Sequence, residues 1–422
     1  MSHTAEIIAV GTELLLGNIV NSDAQMLSRG LSALGINVYY HTVVGDNPQR
    51  LRAAVEAAKG RADIIITTGG LGPTCDDLTK NVLADCFSRK LFYDKASAQR
   101  ITDYFGRLHR SAEMTDNNLQ QAWLPEGCTV FQNDWGTAPG CAFEAEGIHV
   151  IMLPGPPSEC ENMFRYRALP YLENLSDGVI LSRTLRIFGM GESSVEAKLR
   201  DRMNTMRNPT LAPYAKTGEV ELRITAKNIT ESAAMALIAP VEKELLAMFG
   251  PLVYGVDVPS LEFAVLELLK VRRMSIGTAE SCTGGLCAKR FTDIPGSSAA
   301  FKGAVVSYTN EVKETLLGVP AELLREKGAV CPEVAVAMAQ GVRAALRCDL
   351  ALSFTGVAGP DMDERENPVG LVYVALATPE GARVRELHLG AGRERIRTVA
   401  VSNGLDMARR WLTGLPDGDE SR

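Results

Sequence analysis

The order of predicted elements makes this an α/β protein. It has an N-terminal doubly wound parallel sheet, a small central α+β unit and a C-terminal α/β domain. Three observations predict it. Short β-branched runs alternate with helix-length amphipathic stretches in both outer thirds of the chain, and glycine-rich loops follow several of those runs. The length of 422 residues is also too great for one core, because single domains stop growing at roughly 250 to 300 residues.

The first domain is expected over residues 1–170. Ile7 to Val10 is an apolar run ended by Gly11, and Asn21 can cap a helix whose apolar face is Ala24, Leu27, Leu31 and Leu34, stopped by Gly35. Asn37 to Val44 reads as the next strand, and Asn47 with Pro48 opens a helix toward Lys59. Ile64 to Thr67 lacks alternation, as a strand covered on both faces does. Val150 to Leu153 is another such run, entering Pro154-Gly155-Pro156-Pro157 and a helix near Ser158. The central unit, residues 171–255, shows a strand at Leu185–Phe188, a helix through Val195, Leu199 and Met203, an alternating strand through Val220, Leu222 and Ile224, and a helix ending at Gly250. Pro251 and Pro259 flank an expected linker. The third domain, residues 256–415, places strands at Ser275–Thr278, Ala304–Tyr308, Leu350–Phe354 and Leu371–Ala377, with helices between.

Composition narrows the function. A net charge of −7 creates no global positive field, so nucleic acid is disfavoured as principal ligand. Nine cysteines, an odd number with no paired framework, predict a reducing compartment and a cytoplasmic location. The N-terminus lacks the features of a signal peptide, and no apolar run reaches the ~18 residues of a membrane span. Cys282 and Cys287 are spaced for neither a redox pair nor a zinc knuckle.

Two glycine-rich loops carry the candidate chemistry. Thr68-Gly69-Gly70-Leu71-Gly72-Pro73-Thr74-Cys75-Asp76-Asp77-Leu78-Thr79 lies between a strand and a helix, where open α/β sheets bind ligands and exposed backbone N–H groups can approach phosphate. Asp76 and Asp77 could hold a divalent cation beside a pyrophosphate, or one of them could simply cap the next helix. Thr12, Glu13, Asp46 and Gly155 follow other strands and could join the same edge, or serve only as turn and loop residues. In the third domain Ala279-Glu280-Ser281-Cys282-Thr283-Gly284-Gly285 presents a serine on a sharp turn, with N–H groups of the next helix expected to stabilise an oxyanion. His388 is far away in sequence, so the base is sought in Lys313, in the first turns of a helix near Asn310, with Tyr308 as a proton donor or relay. Cys282 is the rival nucleophile. Thr355-Gly356-Val357-Ala358-Gly359-Pro360-Asp361 offers a second ligand-gripping loop.

These motifs, with Glu6 to Gly17, Val43 to Asn47, Gly136-Thr-Ala-Pro-Gly140 and Pro213-Tyr-Ala-Lys216, resemble the competence/damage-inducible protein CinA family from the first strand to Trp411. The resemblance implies an N-terminal domain similar to molybdenum-cofactor biosynthesis proteins that hydrolyses ADP-ribose with a divalent metal (magnesium or cobalt) and potassium. Asp46 and Asp77 would be catalytic, and Gly69, Gly70, Gly72, Thr74 and Gly155 would bind substrate. It implies a central KH-like unit without a Gly-x-x-Gly clamp, and hence no carried-over RNA binding. It also implies a C-terminal nicotinamide mononucleotide (NMN) deamidase without cofactor, with Ser281, Tyr308 and Lys313 as catalytic residues. There Thr283, Gly284, Gly285, Thr355, Gly356 and Gly359 would bind substrate, and Ser281 would either be acylated or orient water. A homodimer is expected. The alternatives are a competence or recombination protein that works by binding, and a molybdopterin-processing transferase in the first domain. Met362-Asp363 departs from the family's double glycine, and Cys75 from a commonly charged residue.

Overall fold

The computed structural model describes residues 3–107, 114–175 and 178–417, which fall into two compact units: residues 1–181 with 226–237, and residues 182–225 with 238–422. In the first unit, the strands Asn37–Val44, Thr4–Val10, Ile64–Thr68 and Ile148–Leu153 lie side by side in that order, all parallel. Gly140–Ala145 and Thr129–Phe131 extend the sheet antiparallel, so one edge departs from the purely parallel arrangement expected. Alternate side chains of each strand feed two separate cores, as burial on both faces requires. Ile8, Val10 and Ile65 pack with Leu51, Val55 and Leu83, whereas Ile7, Ile64 and Ile66 pack with Leu27, Leu31, Cys160 and Phe164. The helix caps follow the sequence signals: Asn21 Oδ1 accepts from the Ala24 amide, and Asn47 Oδ1 from that of Arg50.

In the second unit a four-stranded sheet runs in the order Thr210–Lys216, Glu219–Asn228, Val179–Phe188, Val253–Val256. Two of these strands were not expected. Thr210–Lys216 pairs antiparallel with Glu219–Asn228 as a hairpin, and Val253–Val256, inside the expected linker, pairs antiparallel with Val179–Phe188. The prolines that suggested a linker lie just outside that strand, where a missing N–H does no harm.

The C-terminal sheet of this unit has the order Phe301–Val306, Ile276–Glu280, Leu350–Gly356, Leu371–Thr378, Gly381–His388. The first three strands are parallel, and the last two form an antiparallel extension. The helices Leu261–Arg272, Leu286–Thr292 and Arg393–Thr413 bury Leu269, Phe291 and Leu405 in one core. Pro332–Leu346 buries Val334, Met338 and Val342 in the other. Phe354 is fully buried, and Gly404 lies so close that an added Cβ would meet its Cε1 at 2.7 Å. Among the described residues no helix is long and apolar enough to cross a membrane.

Truncating Phe354 opens a cavity between sheet and helix Arg393–Thr413. Phe354→Ala is expected to cost about 3–5 kcal/mol in chemical denaturation.

Candidate active site

Four loops meet at the carboxyl edge of the first unit's sheet because their backbones touch. Gly69 has φ +90°, and a Cβ there would lie 2.2 Å from the Val10 carbonyl oxygen. Gly155 approaches Gly69 so closely that its Cβ would meet Cα at 3.2 Å, which joins the Pro154–Pro157 turn to the glycine-rich loop. Gly70, at φ +67°, leaves room for Thr79, whose hydroxyl donates to the Gly69 carbonyl at 2.9 Å. Thr12 locks the first two loops: its amide and hydroxyl donate to Asp46 Oδ2 at 2.9 and 2.8 Å. Asp77 is held alike, with Oδ2 accepting from the amide and hydroxyl of Thr74 at 2.8 and 2.6 Å, over Gly72. Asp77 therefore shapes the loop rather than capping the helix Thr79–Cys86, which has no side-chain cap. Glu13, Asp23, Thr68 and Gly155 line a small cavity at this edge, and burial raises the Asp23 carboxyl to about 6. Sequence reasoning passed over Asp23, which looks like an ordinary acid in a helix's first turn.

Asp46 and Asp77 are the acids of this edge whose donor set bears on a divalent cation. Among the described residues no three His, Cys, Asp or Glu side chains converge as a metal cage. Asp46 and Asp77 are each anchored through Oδ2 alone, and among the described residues Oδ1 of each takes no hydrogen bond. One or two carboxylates completed by water and substrate phosphates is how magnesium is ordinarily held. Asp76 is exposed, its Oδ1 facing the Cys75 thiol at 3.7 Å.

In the second unit the structure brings Ser281 and Lys313 together. Ser281 follows the strand Ile276–Glu280, its amide donating to the Phe354 carbonyl at 2.9 Å. Lys313 projects from the helix Asn310–Leu317, which Thr309 caps by accepting from the Val312 amide. Its Nζ donates to Ser281 Oγ at 3.0 Å and to the Ser307 carbonyl at 2.8 Å. Lys313 is 1% exposed, and burial pushes its ammonium down from 10.5 to about 8. A buried lysine with few partners is easily deprotonated, because burial disfavours the charged form.

The other predicted residues divide. Tyr308 lies beyond its strand, which stops at Val306. Its ring is 61% exposed, and its hydroxyl faces Arg393 Nη2 at 3.5 Å, with no hydrogen bond to Ser281 or Lys313 among the described residues. Thr283 is buried, and its Oγ finds no partner among the described residues. Gly284 and Gly285, at φ +57° and +90°, make the left-handed turn into the helix Leu286–Thr292. Thr355 turns inward and donates to the Ala329 carbonyl at 2.6 Å, while Gly356 makes room for the neighbouring strand at Leu371 and Val372. Gly359 accepts from Arg393 through its carbonyl. Asp363 stiffens the next loop by accepting from the amides of Arg365 and Asn367.

Two expectations are corrected. The amides of Cys287 and Ala288 do not await an oxyanion, because the fully buried Glu280 carboxylate accepts from them at 3.0 and 2.8 Å. Cys282 packs in the hydrophobic core, where burial pushes its thiol up to about 12 and disfavours the thiolate that a nucleophilic cysteine needs. Sequence reading also missed Arg393 and Arg397. Arg397 Nη2 donates to the Thr283 carbonyl, and its Nε is buried without a partner among the described residues. Their i, i+4 spacing at a helix start was the available signal.

Fold and geometry together define a multidomain α/β protein with two candidate sites, one an acidic, glycine-rich edge and the other a buried serine–lysine pair. The model for a probable molybdopterin binding domain matches residues 6–174, the damage-inducible protein CinA KH domain residues 182–255, and the CinA C-terminal domain residues 259–412. A CinA-like protein of Dictyoglomus turgidum is 47% identical over 410 residues, covering 97% of this chain and 99% of its own. A putative competence-damage inducible protein of Acetivibrio thermocellus is 47% identical over 411 residues, with the same coverage. The crystal structure of competence/damage inducible protein CihA from Agrobacterium tumefaciens is 38% identical, covering 36% of this chain and 93% of its own, with a TM-score of 0.35. The chain belongs to the CinA family.

The burial contrast is directly measurable. Alkylation of the native protein followed by peptide mass spectrometry is expected to label the exposed Cys75 readily and leave Cys282 unlabelled until denaturant is added.

Proposed function

We propose that this protein is a bifunctional hydrolase of pyridine-nucleotide breakdown products. The C-terminal site deamidates NMN to nicotinate mononucleotide and ammonia, and the N-terminal edge cleaves ADP-ribose to AMP and ribose 5-phosphate. The observation that carries the first half is the contact of Lys313 Nζ with Ser281 Oγ at 3.0 Å, in a place where the lysine is almost wholly buried.

Neutral Lys313 takes the seryl proton as Ser281 Oγ attacks the carboxamide carbon, so a strong nucleophile is made without a histidine. Collapse of the tetrahedral intermediate releases ammonia, which leaves with the proton that Lys313 returns. Water then attacks the seryl ester, again deprotonated by Lys313, and yields the carboxylate and free serine. NMN and water are consumed, and nicotinate mononucleotide and ammonia are formed. The Ser307 carbonyl orients Nζ by accepting one of its protons. The Arg393 and Arg397 guanidiniums flank the loops that would surround an anionic nucleotide.

At the N-terminal edge the backbone of Gly69 to Gly72 would lie along the pyrophosphate, with Thr12 and Thr74 fixing Asp46 and Asp77. A divalent cation held by Asp46 and Asp77 would supply neutralisation of the phosphate charge.

Ser281→Ala and Lys313→Ala are each expected to lower ammonia release from NMN by about 10²–10⁴-fold, with Cys282→Ala near wild type. The reverse pattern, serine dispensable and cysteine required, would sink the assignment. The active form of Lys313 is neutral and its amine titrates at about 8, so kcat/KM should rise as pH rises toward 8 and level off above it. A rate flat from pH 6 to 9 would argue against the lysine base. Asp77→Ala should abolish metal-dependent ADP-ribose cleavage while deamidation persists; undiminished cleavage would remove Asp77 from the reaction.

A further inference from the structure

The Pro213–Lys216 motif and its hairpin have no part in either reaction, yet they touch the elements that shape the deamidase site. The hairpin Thr210–Lys216/Glu219–Asn228 turns at Gly218, whose φ is +81° and whose Cβ, if present, would lie 3.2 Å from Val399 Cγ2. Val399 stands on the helix Arg393–Thr413, two residues beyond the Arg397 that holds the Thr283 carbonyl in the serine loop. The next hairpin residue, Glu219, is inside the seam. Its Oε2 accepts from Tyr254 Oη at 2.6 Å, and its Oε1 lies 4.0 Å from Arg290 Nη2.

Arg290 is the meeting point. It projects from the helix Leu286–Thr292 that the serine loop feeds. Its Nη2 donates to Glu262 at 2.5 Å on the helix Leu261–Arg272, and its Nη1 to Ser402 Oγ at 2.9 Å on the helix Arg393–Thr413. At its other end the same short helix is fixed by Glu280, which immediately precedes Ser281. Phe188 and Tyr254 of the central unit share one hydrophobic core with Phe291 of this helix. A seven-residue helix has little stability of its own and takes its position from such partners.

We infer that the KH-like unit positions the serine loop of the deamidase site, with Glu219 and Arg290 as the positioning residues that transmit its hold. This gives the unit an intramolecular function in place of nucleic-acid binding, and it rests on reading Ser281–Lys313 as the deamidase centre. Arg290 touches no reacting atom. It acts through the helix, and small displacements of a nucleophile are costly, about 10²-fold for 1 Å.

The test uses the full-length protein with Glu219→Ala, Glu219→Gln and Arg290→Met. Amide hydrogen exchange is read by mass spectrometry, together with ammonia release from NMN. Glu219→Ala and Arg290→Met are expected to speed exchange over residues 281–289 and to lower kcat about tenfold, leaving the helix Pro332–Leu346 as protected as in wild type. Glu219→Gln, which still accepts from Tyr254, should fall between. Wild-type exchange over 281–289 and wild-type kcat in Glu219→Ala would overturn the inference. So would a uniform rise across both regions, which would mean that the seam only stabilises the fold. Local exchange changes with no ammonia from NMN in wild type would leave the positioning role standing and dismiss the substrate.

Discussion

The burial of Lys313 is the constraint on which the second unit's chemistry depends. An ammonium in an almost dry site is unfavourable unless its charge is balanced, and no carboxylate touches Nζ among the described residues; the partners it has are a hydroxyl and a carbonyl. Burial therefore lowers the pH at which Lys313 loses its proton to about 8 and places that amine beside a serine. Glu280, one residue before Ser281, is buried too, but its charge is spent on the amides of Cys287 and Ala288. Those bonds fix the helix that follows the serine. They also keep the carboxylate occupied with backbone donors.

The first unit solves a different problem by backbone proximity. Its loops are brought together by glycines whose missing Cβ atoms let one loop rest on another, and its two acids are steadied by threonines rather than by cations. A carboxylate held through one oxygen by neutral donors leaves its second oxygen unengaged. Both candidate edges lie at the carboxyl ends of parallel strands, one lined by carboxylates and the other by a buried amine.

Much of this could be read in the sequence, and the failures have physical causes. Apolar runs and helix caps located the parallel strands because strands covered on both faces are continuous in hydrophobicity and Asn caps act locally. Val253–Val256 and Thr210–Lys216 escaped because short strands bounded by proline carry little signal until a partner supplies the ladder. Arg290, Arg393 and Arg397 were missed in the sequence, and only packing shows the first held in a seam and the others turned toward the serine and glycine loops.

Length, alternation of elements, and the glycine-rich turns after strands were enough to determine an α/β chain of several domains with glycine-rich loops near Thr68 and Ser281, because those properties depend on neighbours in sequence. The burial of Cys282 in the hydrophobic core, the contact of Tyr308 with Arg393, the engagement of Thr355 with Ala329 and the capture of the Cys287 and Ala288 amides by Glu280 were decided by tertiary structure alone. Side-chain direction and dielectric environment depend on residues that are distant in the chain, so no local pattern encodes them.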